Sequence, residues 1–515
     1  MTSTAPDDLL LGIDVGTYET KGVLVTPDGR EQASAAIGHT MVFPRAGWAE
    51  HDPESTWWGE VRDITRTLLA GTGVTAGRIK GVGISAIGPD VLPVDEQLRP
   101  LRNGILYGVD TRAVDEIAEM NARFGEDAIF EASGNALSSQ ATGPKVLWLK
   151  HNEPDLYARA RWFVGATTFI VARLTGRVVV DHFSAGLNHP SYDPGTGDWN
   201  GALLDGIVEK DRLPEIAWSH EVAGTVTEWA AEETGLVAGT PVSVGTIDAG
   251  AEALSIGVVE PGEMMLMYGS TVFMVQITAN RAARDKRLWA APYLFPGTWC
   301  LLAGMATSGA LTRWFRDHLA PDLVAAETAG GEAAYAVLAR EAGQSPPGSR
   351  GVIVLPYFSG ERTPINDPRA KGVIFGLSLT HTRGDLFRGT LEGIGHGVRQ
   401  HVEMFTDMGA APSTIRAVGG GTKNPVWLQS VSDITGVSQE VPAVTLGACF
   451  GDALLAGIAT ATVSGPDVIH RWQGAGRTIA PDPSNAPAYA ALYEVYSSLY
   501  GATREQMHRL HGLGY

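Results

Sequence analysis

Two stretches of this chain share one unusual spelling, an aliphatic strand broken by a glycine turn and resumed as a second strand: "LLLGIDVGTYETKGVLV" from Leu9 and "GEMMLMYGSTVFMVQI" from Gly262. Each reads as the start of a β-meander, with "REQASAAIG" as a third extended segment after the first. The repetition, 253 residues apart, predicts two similar halves in a chain of 515 residues, which exceeds one ordinary core. Helical spacing from Pro53 in "PESTWWGEVRDITRTLLA", followed by a buried strand "IKGVGISAI", makes the class α/β. The boundary is expected at residues 250 to 262, dividing the chain into 1–255 and 256–515.

Within the first meander, Asp14 interrupts an apolar strand, and a buried carboxylate needs a partner. Gly16 and Thr17 follow it, then Lys21; a glycine turn exposes backbone N–H groups to a phosphate, and an aspartate there could hold Mg²⁺ against phosphate oxygens. The plain alternative is a glycine hairpin with a surface lysine. A second strand ends in an aspartate at "TPVSVGTIDAGAEALSIG", where Asp248 is either a base facing a substrate hydroxyl or a helix N-cap. Third, Gly419, Gly420 and Gly421 separate a short strand from a helical pattern; their bare backbone could lie against a base or ribose, with Asn424 adding a polar contact.

Net charge is −18, from 39 basic and 57 acidic side chains, which argues against nucleic acid and anionic membranes as partners. Two distant cysteines, Cys300 and Cys449, supply neither a disulfide framework nor a thiolate metal site. His51, His381 and His396 lack ligand spacing and read as packing or surface residues. "MTSTAPDD" has no leader-like apolar stretch, and no window resembles a membrane span, so a cytoplasmic location is expected.

Taken with "GWAEHDPESTWW", "GISAIGPDVLPVDEQLRPLRNGILYGVDTRA", "FSGERTPINDPRAKGVIFGLSLTHTRGDLFRGTLEGIG" and "LGACFGDALLAG", these segments resemble the FGGY family of carbohydrate kinases over nearly the whole chain. That resemblance implies an actin-like ATPase fold, two ribonuclease-H-like domains around a central cleft. It also implies ATP and Mg²⁺ as cofactors and a homodimer as the default assembly. By it, Asp14, Thr17 and Lys21 belong to the phosphate and Mg²⁺ end, with Asp14 and Asp248 near the metal and Asp248 as catalytic base. Ser270 and Thr271 match a phosphate turn. Gly309, Arg313, the three glycines and Asn424 match the nucleoside side.

The sugar end departs from familiar members. Where xylulokinases resemble "GLSGQMHG" and glycerol kinases carry Arg-Glu, this chain has Gly88 and Pro89; after the catalytic aspartate it has Ala249 rather than Asn or Gln. Replacement contacts are sought in Asp90, Asp110 and Arg112, and in Trp48 and Glu50, although Asp110 and Arg112 could equally form a structural ion pair. The expected activity is ATP-dependent phosphorylation of a ketopentose, D-xylulose first. Ribulose, gluconate, glycerol or a tetritol is the alternative substrate, and a nucleotide-dependent binding protein on the same fold the alternative class.

Overall fold

The computed structural model describes residues 8–514, so the leader reading of residues 1–7 lies outside the described residues. Strand Leu9–Val15 hairpins antiparallel onto Glu19–Val25, which pairs with Glu31–Gly38. On its other side Leu9–Val15 runs parallel to Ile79–Ala86, which continues to Pro241–Ser243 and Val222–Thr225, with Thr246–Ile247 also parallel to Ile79–Ala86. Leu9, Leu10, Leu11, Ile13 and Val15 are wholly buried, since a sheet covered on both faces needs apolar residues at consecutive positions.

The second sheet repeats this order. Glu263–Tyr268 hairpins onto Val272–Thr278, beyond which lies Trp299–Met305, and on its other side it runs parallel to Thr414–Val418 and then Gln439–Val441. Both halves therefore place the antiparallel meander at one side and parallel strands beyond it. The expected duplication is a duplication of sheet topology.

The two compact units are not the contiguous halves 1–255 and 256–515. One comprises Met1–Val259, Arg284–Cys300 and Val444–Gly474; the other comprises Glu260–Ala283, Leu301–Ala443 and Ala475–Tyr515. The late return has a steric cause. Helix Ala448–Ala459 lies flush on the first sheet, where a Cβ on Gly12 would stand 1.9 Å from the Cys449 carbonyl oxygen and one on Gly83 1.9 Å from that of Asp452. Two glycines on neighbouring parallel strands open a seat for this helix, which no local pattern announces.

The helix expected from Pro53 begins as a π-helical turn, Pro53–Gly59, capped by the Asp52 side chain, before α-helix Glu60–Thr72. Among the described residues no helix is long and apolar enough to cross a membrane.

Candidate active site

The parallel strands deliver acids to one end of the first sheet. Asp14 is in register with Ser85, and Ser85 with Thr246 on the far side, so Asp14 and Asp248 emerge at the same edge. Ser85 Oγ lies 3.0 Å from Asp14 Oδ1 and 2.7 Å from Asp452 Oδ2. Asp452 Oδ1 is buried without a partner among the described residues. Asp248 opens helix Asp248–Ser255 but does not cap it: its Oδ1 accepts the N–H of its neighbour Ala249 at 2.7 Å, and the cap position is Ile247. Glu252 follows one turn later on the same face.

Four carboxylates so placed repel one another. Burial, with Asp14 and Glu252 adding repulsion, pushes Asp248 well above the usual carboxylate range. Burial lifts Asp14 to about 6, opposed by the Ser85 hydrogen bond and Lys21, and lifts Glu252 to about 7. Asp452 is driven up in the same way, by burial and then by Asp14. The orphaned Asp452 oxygen and this excess of negative charge fit a divalent cation. Among the described residues no group of three or more His, Cys, Asp or Glu side chains is arranged to hold a metal by itself. That pattern suits Mg²⁺, which typically takes one or two carboxylates and completes its shell with phosphate oxygens and water.

The turn beside Asp14 is closed by Gly16 N–H donating to Glu19 O at 3.0 Å, with Thr17 partly exposed. Lys21, across the hairpin from Asp14, pairs with Glu19 at 2.9 Å, both side chains about half exposed, and such a pair exchanges readily for another anion. His39 buttresses the turn, its Nε2 3.1 Å from Gly16 O and its Nδ1 2.8 Å from Glu60 Oε2. Burial opposes protonation of His39, but the Glu60 contact and the backbone of Gly16 and Thr17 together outweigh it and the net shift is upward.

In the second unit a cavity of about 510 Å³, well within the size range of ligand pockets, is lined by Ser270, Gly309, Arg313, Gly420, Gly421 and Asn424 among others. Thr271 and Gly419 do not line it. The three glycines differ in purpose. Gly419 holds φ 96°, and a Cβ on Gly421 would meet Trp427 at 2.7 Å and Tyr268 at 2.8 Å, so both answer to packing within the protein. Only around Gly420 is the space open. Asn424 caps helix Pro425–Thr435, its Oδ1 accepting from Val426 N and Trp427 N, which leaves only its amide NH₂ to face a ligand.

The expected sugar contacts are mostly occupied elsewhere. Asp110 and Arg112 have fully buried side chains and are paired; Arg112 Nη2 lies 2.7 Å from Asp110 Oδ2 and 2.8 Å from Glu50 Oε1. Asp110 also accepts the Ala49 N–H at 2.7 Å, Glu50 bonds Arg102, and the Arg112 guanidinium lies 4.0 Å over the Trp48 ring. The structural ion pair is the reading this geometry favours, with Glu50 and Trp48 as part of it. Gly88 packs under Ile247, and Pro89 and Asp90 border a small internal cavity. Asp90 takes the Ala166 N–H on Oδ1 at 2.9 Å, leaves Oδ2 buried without a partner among the described residues, and is pushed by burial to about 7. His51 accepts from Trp57 Nε1 at 3.2 Å, His396 packs among Tyr489, Tyr493 and Tyr496, and His381 accepts the Ser378 N–H.

Sequence reading missed Ser85, Glu252 and Asp452. The signal for Asp452 was present: one acid in the otherwise apolar helix "ACFGDALLAGIA".

Comparison with known proteins decides the family. Residues 9–255 match the model of the N-terminal domain of the FGGY family of carbohydrate kinases, and residues 264–460 match that of its C-terminal domain. The chain belongs to the FGGY family of carbohydrate kinases. Xylulose kinase of Escherichia coli (strain K12) is 27% identical over 497 residues, covering 96% of this chain and 98% of that protein. Glycerol kinase 2 of Streptomyces avermitilis is 30% identical over 479 residues, 90% of each chain. Among solved structures, xylulose kinase from Rhodospirillum rubrum superposes with a TM-score of 0.90 at 32% identity, covering 97% of this chain and 100% of that one. This FGGY kinase thus has the actin-like ATPase fold of its family and is an enzyme that phosphorylates a sugar with ATP.

Proposed function

We propose that this kinase transfers the γ-phosphate of ATP to a hydroxyl of a ketopentose, D-xylulose first, in the cytoplasm and with Mg²⁺. The observation that carries the reading is Asp248: a half-buried carboxylate at a strand end, near Asp14, whose side chain, among the described residues, accepts the neighbouring backbone N–H of Ala249. A carboxylate left that free can accept the proton of an attacking hydroxyl, a role typically worth ~10²–10⁴-fold. The turns at Thr17 and Ser270 carry hydroxyls with exposure enough to meet phosphate oxygens, and the cavity beside Gly420 has the size for a nucleoside.

Asp14 would hold Mg²⁺, which supplies charge neutralisation of the phosphate oxygens when bound, with Asp248 beside it as the base. Asp248 must be ionised to act, and its neighbours oppose that. Positive charge at Asp14 therefore favours the basic form of Asp248, so that the base is armed when the phosphates are in place.

D-xylulose is favoured by similarity to xylulose kinases over nearly their full length, in Bacillus subtilis at 25% identity and in Escherichia coli at 27%. Gluconate and glycerol stay as second readings because a gluconokinase of Bacillus subtilis, at 25%, and the Streptomyces avermitilis glycerol kinase, at 30%, match over similar lengths. Gly88, Pro89 and Ala249 also offer no side-chain hydrogen-bonding group to read a particular sugar. A coupled assay of ADP release over pentuloses, aldonates and polyols is the test. Highest kcat/KM with D-xylulose is expected; a tenfold or greater preference for an aldonate or polyol overturns the substrate.

A further inference from the structure

In the second unit, Glu361 is buried and makes no ion pair among the described residues, although the charge of its neighbour Arg362 acts on it. It is 5% exposed, and its Oε1 accepts two backbone N–H groups, those of Ala306 and Arg362, each at 2.7 Å. Its Oε2 has no partner among the described residues. Its own backbone is fixed from the other side by paired hydrogen bonds with Asp367, both 2.9 Å, and Asp367 is in turn held by Tyr500 Oη at 2.8 Å. The carboxylate is thus a rigid post rather than a mobile surface group.

What the post holds is the link between strand Trp299–Met305 and helix Gly309–Leu319. Ala306 begins that link, and Thr307 Oγ1 donates to Pro356 O. The N–H groups of Ser308 and Ala310 donate to Ser270 O, both at 3.0 Å, and that of Gly309 to Gly269 O at 2.9 Å. A Cβ on Gly309 would stand 2.5 Å from that Gly269 oxygen, so the two segments are seated without slack. Ala306 stands two residues before Ser308, the first of these contacts with the Gly269–Ser270–Thr271 turn.

We propose that Glu361 is a positioning residue for the nucleotide: by gripping Ala306 it sets the Ser308–Gly309 link and, through it, the Gly269–Thr271 turn that receives the phosphates. The inference rests on the reading of the cavity beside Ser270 and Gly420 as the nucleotide site. What the position requires is an acceptor oxygen at the reach of a Glu side chain; charge is secondary.

Two single substitutions separate reach from charge. Glu361→Gln keeps the reach and one carbonyl oxygen; Glu361→Asp keeps the charge and withdraws the oxygens by one methylene. Calorimetric titration with MgADP and, separately, with D-xylulose is the measurement, alongside KM for each substrate. Glu361→Asp is expected to weaken MgADP on the order of tenfold, as loss of charge-assisted hydrogen bonds does, with D-xylulose affinity within about twofold of the parent; Glu361→Gln should stay within about twofold for both. The reverse ranking, or equal losses for both ligands, overturns the inference. So does a lower melting temperature in Glu361→Asp with MgADP affinity intact. Ala339→Trp, which fills the cavity, tests the underlying site separately: it should abolish MgADP binding, and if it does not, the nucleotide reading falls whatever Glu361 does.

Discussion

Ser85 and Asp452 are joined by a 2.7 Å hydrogen bond although 367 residues separate them, and the same Ser85 oxygen lies 3.0 Å from Asp14. A hydroxyl has one proton to give and lone pairs to accept with, so Ser85 donates to one acid and accepts from the other in its protonated form, which ties the two into one arrangement and orients Asp14. Ser85→Ala is expected to leave the fold intact and let Asp14 turn. Activity should fall about tenfold, the scale of one buried hydrogen bond to a charged group, and the rise in melting temperature produced by MgATP should shrink. An unchanged MgATP response in Ser85→Ala would show that Asp14 needs no such support.

Asp248→Asn is nearly isosteric and keeps the oxygen that accepts the Ala249 N–H. It removes the ability to take a proton. Turnover is expected to fall by ~10²–10⁴-fold while MgADP affinity, read by calorimetry, changes little. Loss of nucleotide affinity with turnover retained at saturating ATP would assign Asp248 to binding instead of proton transfer.

The Glu50–Asp110–Arg112 cluster gives the opposite expectation. Arg112 reaches Asp110 through two nitrogens and Glu50 through one, and its guanidinium lies on Trp48; an ammonium cannot reproduce that planar fork. Arg112→Lys should therefore destabilise the protein by about 2–4 kcal/mol in denaturant unfolding, because it leaves buried carboxylates incompletely paired. KM for the sugar, measured well below the new melting temperature, should move less than threefold. A rise above tenfold without loss of stability would return Arg112 to the substrate.

Legibility in the sequence followed the range of the interaction. Asp14 and Asp248 announced themselves because each ends an apolar run at small residues, and the repeated strand–glycine–strand spelling disclosed the duplicated sheets. Asp452 stood out as a lone acid in an apolar helix, but its pairing stayed hidden because Ser85 is brought to it only when helix Ala448–Ala459 settles over Gly12 and Gly83. The same distant return explains why the units are not contiguous. Asp110 and Arg112 could not be assigned from spelling, since an acid and a base two residues apart look alike whether they grip a sugar or each other. For the triple glycine, the demand came from Tyr268 and Trp427 at two of three positions, a tertiary cause with no local signature.

His396 sets a pH dependence of stability with a definite sign. It is 3% exposed, surrounded by Tyr489, Tyr493 and Tyr496, and burial, with Arg399 adding to it, holds the imidazole down to about 3. In the unfolded chain it titrates near its ordinary value of 6.5. Between those values the unfolded state binds the extra proton and the native state does not, so this group favours unfolding as pH falls below 6.5 and has no effect above it. His396→Phe keeps an aromatic ring of similar breadth in the tyrosine cluster and deletes the proton site. Relative to the parent, the variant should therefore gain stability on moving from pH 7.5 to pH 5, whatever its offset at pH 7.5. Melting temperatures of both proteins at the two pH values check this; a parallel decline in both would mean that His396 is protonated in the folded state.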